Sequence, residues 1–277
     1  METAQQLAER HVRAGHEGRG EQLDLQHTDG HSHILASTIP NVRAYDPAYA
    51  YELATIIRDG IERMYGRGED VYYYVTLYNE NYLMPPAPEG ATDGIVRGIH
   101  RVLAAPEVAG GAKARVRLVG SGAILQQAVA AQALLAERFG VAAEVYSATS
   151  WQQLRVDALE VERWNRLHPG EPARTPYVSQ VLGPDGGPVV LVSDWVKALP
   201  DLLGRWLPAG YVSLGTEGFG RSDTREALRA LFEIDAPNVA LGALTALSRR
   251  GELPAADVAA AIASLGIDPE KIDPLAF

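Results

Sequence analysis

Three of the chain's seven histidines fall within seven residues, His27-Thr28-Asp29-Gly30-His31-Ser32-His33, with an aspartate among them. Imidazole is the side chain whose unperturbed pKa lies closest to neutrality, so such a group suits proton transfer or, through its neutral nitrogens, metal ligation. Metal binding by His27, His31 and His33 lacks a supporting pattern: there is no His-Glu-x-x-His signature, and the absence of cysteine excludes thiolate ligands. No metal site is therefore assigned. Catalysis and a solvated or loop-bracing role both stay open on the residues alone.

The elements around the cluster must hold it. Gly30 and Asp29 make a poor helix, and residues 34–41 read as a short strand or extended run ending at Pro40, so the cluster is placed in a loop. Asp46-Pro47 reads as an N-cap with proline in the first turn, followed by apolar residues at helical spacing up to Gly66. The β-branched and aromatic run over residues 71–78 is of strand length. Residues 84–90, rich in proline, form a linker, followed by a helix over residues 94–103 and a loose stretch over 107–112. Beyond them, strands are expected over residues 114–119, 143–147, 177–182, 189–193 and 211–214. Helices are expected over 123–139, 150–167 (opened by a Ser150-x-x-Gln153 box), from Trp195, over 223–232 (opened by Asp223-x-x-Glu226), 239–249 and 255–265. This alternation predicts an α/β fold with a mostly parallel or mixed sheet covered on both faces. The division expected is 1–24 as an unmatched N-terminal segment, 25–106 as a first unit and 107–277 as a second.

Two glycine-rich stretches invite a phosphate reading. Gly120-Ser121-Gly122 lies between a strand and a helix, but a dinucleotide fingerprint needs glycine where Leu125 stands, so a tight turn is the better reading. Residues 215–223 lack the Lys-Ser/Thr ending of a P-loop; turn geometry and an interface or anion contact through Arg221 are both compatible with them. Asn79-Glu80-Asn81-Tyr82 follows the aromatic strand, at the end where open α/β sheets place their ligand crevices.

Composition narrows the class. The balance of 25 basic against 35 acidic residues, net −10, opposes binding to nucleic acid or an anionic membrane. No basic-then-apolar leader and no uninterrupted apolar stretch of membrane-spanning length are read, and there is no cysteine, so the expected compartment is the cytoplasm.

Residues 27–41, with Tyr45-Asp46-Pro47-Ala48-Tyr49-Ala50-Tyr51-Glu52, Val71-Tyr72-Tyr73-Tyr74-Val75-Thr76, Glu162-Arg163-Trp164-Asn165, His168-Pro169 and residues 215–223, closely resemble the homodimeric, thiamine-diphosphate-dependent first component of the pyruvate dehydrogenase complex. The likeness runs from about Leu25 to Phe277. It implies the end of a pyrimidine-binding domain joined to a transketolase-like C-terminal domain. It also implies oxidative decarboxylation of pyruvate, with the acetyl group passed to the lipoyl domain of the acetyltransferase component. His27 stands where the family has an active-site histidine, which can donate a hydrogen bond or proton to the substrate oxygen as charge develops; His31 is second choice, as a support of loop geometry. The resemblance implies thiamine diphosphate and magnesium as cofactors. Yet the family's Gly-Asp-Gly motif with its distant Asn, which grips diphosphate and metal, is absent, so no cofactor-binding residue is assigned. The expected partners are a second copy of the chain, or a separate chain carrying the missing N-terminal portion. A non-catalytic assembly module is a further alternative.

Overall fold

The computed structural model describes residues 29–218 and 220–276. A one-turn helix, α1 (Ser32–Ala36), leads into a two-stranded parallel sheet of β1 (Val42–Tyr45) and β2 (Tyr72–Val75), joined by the crossover helix α2 (Ala50–Ile61). After α3 (Ala91–Arg97) the chain builds a five-stranded sheet in the order β3 (His100–Leu103), β5 (Val141–Ser147), β4 (Ala114–Gly120), β6 (Val189–Val192) and β7 (Val212–Leu214). Every neighbouring pair is parallel except β3 with β5. The fold is thus α/β with a mixed, mostly parallel central sheet, as the alternation of elements implied.

Period-two alternation splits the core between the faces of this sheet. Val116 and Leu118 of β4 and Val190 and Val192 of β6 pack under α4 (Leu125–Leu134) and, nearer the chain's end, α9 (Ala236–Arg249). Val119, Val189 and Leu191 point the other way, toward Trp151 and Leu154 of α5 (Trp151–Leu167) and Val178 of α6 (Tyr177–Val181). Ser150 caps α5 by accepting from the Gln153 N–H at 3.0 Å, as its sequence position suggested.

Several expectations need correcting. Residues 34–41 are not extended: the Asp29 carboxylate accepts from the N–H groups of His31 and Ser32 and so nucleates α1. Asp46 does not cap α2. That helix begins at Ala50, and Glu52 reaches back to accept from the Ala48 and Tyr49 N–H groups at 2.6 and 3.0 Å. Residues 94–103 divide into the end of α3 and β3, because Gly98 turns the chain at φ +108°. β3, formed from the end of the stretch expected as helix, edges the larger sheet. Residues 177–182 are not a strand: Asp157 accepts from the Tyr177 N–H at 2.6 Å and starts α6. The helix expected from Trp195 is only α7 (Ala198–Asp201). Thr224, rather than Asp223, caps α8 (Arg225–Leu231) by accepting from the Ala227 N–H. Residues 225–249 are long and apolar enough to cross a membrane by composition, but α8 and α9 are separate helices and more than half of that window is buried. The chain closes with α10 (Ala255–Leu265).

The strand order makes β4 the switch point, since the chain leaves it toward β5 and later returns to its other side as β6. In open α/β sheets that crevice is where ligands bind. Here the molecule's own residues fill it. Gly122 takes φ +50° so that the Tyr78 ring can lie against it; a Cβ added there would stand 2.5 Å from Tyr78 Cε2. Gly122→Ala is expected to lower the unfolding free energy by about 1–3 kcal/mol. A urea unfolding curve that coincides with that of the parent would refute this packing.

Candidate functional site at the seam between two sheets

Asp46 is fully buried where the carboxyl ends of both sheets meet. Its backbone N–H donates to Thr149 O at 2.8 Å, and its own carbonyl accepts from Gly122 N at 3.1 Å. Its side chain accepts from the Thr76 hydroxyl at Oδ1 (2.7 Å) and from the Trp195 indole N–H at Oδ2 (2.8 Å). One residue thereby touches the chain just beyond β2, β4, β5 and β6. Donors surrounding a buried carboxylate are what make its burial tolerable.

His33 extends this network. Its Nε2 lies 2.9 Å from Thr76 Oγ1, and its ring packs on Trp195 with centroids 4.4 Å apart and on Tyr74 at 5.3 Å. The Thr76 hydroxyl has a single proton, directed to Asp46, so it accepts from His33. Burial lowers the His33 pKa from its ordinary 6.5, against the opposing charges of Asp46 and Asp29. The ring is therefore neutral at pH 7 and carries its proton on Nε2. His33 thus braces the chain after β2 through Thr76.

The loop that carries the other histidines is tied to this brace. Gly30 O accepts from Val196 N at 3.0 Å, and Ser32 Oγ accepts from the Tyr74 hydroxyl at 2.8 Å. His31 sits half-buried at the N-cap of α1. His27 lies outside the described residues. The structure thus places His31 and His33 within one turn of each other but assigns them different settings, and it brings neither into a set of metal ligands. Among the described residues, no three His, Asp or Glu side chains converge as a metal site.

A second charged group borders the seam. Arg229 of α8 forks onto both oxygens of Glu80, with Nη1 to Oε1 at 3.1 Å, and Arg225 donates to Asn79 Oδ1 at 2.8 Å. The stretch Asn79 to Tyr82, placed near a site by its position after β2, is thus held by α8, while the Tyr82 hydroxyl donates to Ala48 O. Asp194, half-buried just past β6, has its carboxyl pushed up to about 7 by burial and by the charges of Asp46 and Glu80, with Arg229 opposing. Burial and the charges of Asp46 and Asp194 also raise the Tyr78 phenol, so it stays protonated at neutral pH.

The glycine motifs have structural roles. Gly120-Ser121-Gly122 is the strand-to-helix turn under Tyr78, and Ser121 Oγ accepts from the Trp151 indole. Gly215 passes where a Cβ would stand 2.4 Å from Trp195 O, and Glu217 accepts from Lys197 N at 2.7 Å, so this loop clasps the segment after β6. Asp46, Thr76, Trp195, Asp194 and Arg229 were not singled out as site residues from the sequence. For Asp194 and Trp195 the available signal was position, just past the strand expected over residues 189–193.

Residues 6–85 match the family described as the pyruvate dehydrogenase E1 component middle domain, and residues 101–235 match the transketolase-like C-terminal domain. The chain is 50% identical over 252 residues to the pyruvate dehydrogenase E1 component of Pseudomonas aeruginosa, covering 91% of this chain and 28% of that protein. It is equally similar to that of Escherichia coli K12, and 45% identical over 240 residues to that of Mycobacterium tuberculosis. The transketolase of Leishmania mexicana superposes with a TM-score of 0.56 at 19% identity, covering 80% of this chain and 28% of that one, which shows a shared fold. The chain therefore belongs to the pyruvate dehydrogenase E1 component family. It corresponds to the C-terminal part, spanning little more than a quarter of its relatives' length.

The pH dependence of stability follows from Asp194. Unfolded, this carboxyl ionises near its ordinary 3.8; folded, it keeps its proton up to about 7. The folded state binds the extra proton in that window, so the contribution to stability falls as pH rises from about 4 to about 7 and is level above. Asp194→Asn, which mimics the neutral acid, is expected to gain stability relative to the parent between pH 4.5 and pH 8. Urea midpoints that differ by the same amount at both pH values would contradict this.

Proposed function

We propose that this chain forms the C-terminal part of a thiamine-diphosphate-dependent pyruvate dehydrogenase first component, with the seam serving to hold the histidine loop at the reacting substrate. The observation that carries this reading is the 50% identity over 252 residues to two curated E1 components. The substrate is pyruvate, and the acetyl group passes to the lipoyl domain of the acetyltransferase component. The cofactor, when bound by the whole enzyme, supplies the electron sink for decarboxylation. This chain supplies an imidazole. His27 donates a hydrogen bond or proton to the substrate oxygen, and His31, two residues before the buried brace His33, fixes the approach of the loop. The compartment is the cytoplasm.

The carboxylates of the seam, among the described residues, do not fit the cofactor's diphosphate and its magnesium. Asp46 is committed to Thr76 and Trp195, Glu80 to Arg229 and Glu52 to His100. Polypeptide outside these residues has to grip the diphosphate, either earlier in a longer chain or in a partner chain of a split enzyme, and the active assembly is a homodimer or that complex.

Two results are expected. Calorimetric titration of the 277-residue polypeptide with thiamine diphosphate and magnesium should show no sub-micromolar binding, and pyruvate should not be turned over. Adding a polypeptide that carries the upstream part of the family should restore decarboxylation, and His27→Ala in that mixture should lower kcat by about 10²–10⁴-fold. Steady decarboxylation by the 277 residues alone would overturn the proposal, as would an unchanged rate in the His27 variant for the role of that residue.

A further inference from the structure

The last turn of α8 is unusual. Glu233, just past it, takes φ +61°, a left-handed conformation costly for any residue with a Cβ. It closes the helix in a Schellman pattern, with Ile234 N donating to Arg229 O at 3.0 Å and Glu233 N to Ala230 O at 3.4 Å. Lys271, from the tail after α10, donates to the Ala230 and Leu231 carbonyls and pairs with Glu233 at 3.4 Å. A strained residue held by a distant lysine fixes where α8 ends. Along its length, α8 then aims Arg225 at Asn79 and Arg229 at Glu80, each about 150 residues away in sequence.

Glu80 is two residues past Tyr78, whose ring seals the Gly122 turn beside Asp46. The Glu80–Arg229 fork is largely withdrawn from solvent, with side-chain exposures of 19% and 13%. Arg rather than Lys suits this position because a planar fork fixes both distance and orientation of a carboxylate.

We propose that Arg229 is a positioning residue of the seam: by gripping Glu80 it holds Tyr78 over Gly122 and so keeps the Asp46–Trp195 hydrogen bond shut off from water. The inference concerns this chain's own geometry and stands whether or not the proposed catalytic role of the histidine loop is correct. Lys271 acts one step further back, as the clamp on α8.

The four tryptophans report on it. In ¹⁵N-labelled protein of the full 277 residues, the Trp195 indole N–H, assigned with Trp195→Phe, is expected to exchange with solvent about tenfold faster in Arg229→Ala and in Glu80→Ala. The double variant should be no faster than either single one. The indole of Trp206, bonded to Glu162, should be unchanged. Arg229→Lys, which keeps the charge but not the fork, serves where the alanine variant does not fold, and it should show the same selective loss. Exchanging the charges in a Glu80→Arg, Arg229→Glu protein should restore protection. Unaltered exchange at Trp195 in a folded Arg229 variant would overturn the proposal. So would equal acceleration at Trp195 and Trp206, which would mark general loosening.

Discussion

A carboxylate taken out of water has to be met by donors, and this requirement at Asp46 organises the molecule. Residues 76 and 195 donate to the carboxylate, while residues 122 and 149 bond its backbone, and all four lie just beyond strands of the two sheets. An uncompensated buried charge costs several kcal/mol, so the two sheets come together with Thr76 and Trp195 in place or meet poorly. The segments that supply those partners are the loops at the carboxyl ends of strands. The same closure therefore seals the switch-point crevice and docks the histidine loop, through Gly30 and Val196.

A second buried carboxylate repeats the arrangement a turn away. Glu52 accepts from Ala48 N, Tyr49 N and His100 Nε2 at 2.6, 3.0 and 2.7 Å, linking the start of α2 to β3 of the larger sheet. Asp46 and Glu52 thus pin both ends of one short segment, residues 46–52, against the larger sheet. With that segment fixed, Thr76 has a defined direction for its proton, and the tautomer of His33 follows. Electrostatics alone does not select this geometry. The contact of Tyr78 with Gly122 and of Trp195 with His33 excludes water from it, and exclusion is what gives the hydrogen bonds their weight.

Of the central strands, β6 was legible as a continuous apolar run buried on both faces, and β4 from its β-branched and leucine residues although Arg115 and Arg117 interrupt it. α9 and α10 were legible from their alanine- and leucine-rich spacing, and the Ser150 cap from its position. The errors share a cause in tertiary contacts. Asp46 before proline is a reasonable N-cap, but the cap function is taken by Glu52 and the aspartate is drawn to Trp195, 149 positions away. Residues 177–182 have strand-like composition, yet a single carboxylate, Asp157, initiates a helix there. At the site, the histidine cluster drew notice by its residue types. The residues that hold it, Thr76, Trp195 and Arg229, look ordinary until the fold joins them. The family resemblance supplied a role for His27 that neither spacing nor the described geometry provides.

The claim on which this account rests is that Asp46 and Trp195 form a tight, water-excluded hydrogen bond joining the sheets. A double-mutant cycle by urea unfolding, with Asp46→Asn, Trp195→Phe and the pair, measures it directly. The account predicts a coupling free energy of at least about 1.5 kcal/mol, as for a buried hydrogen bond to a charged group. Single-variant effects that add to within about 0.5 kcal/mol would contradict it.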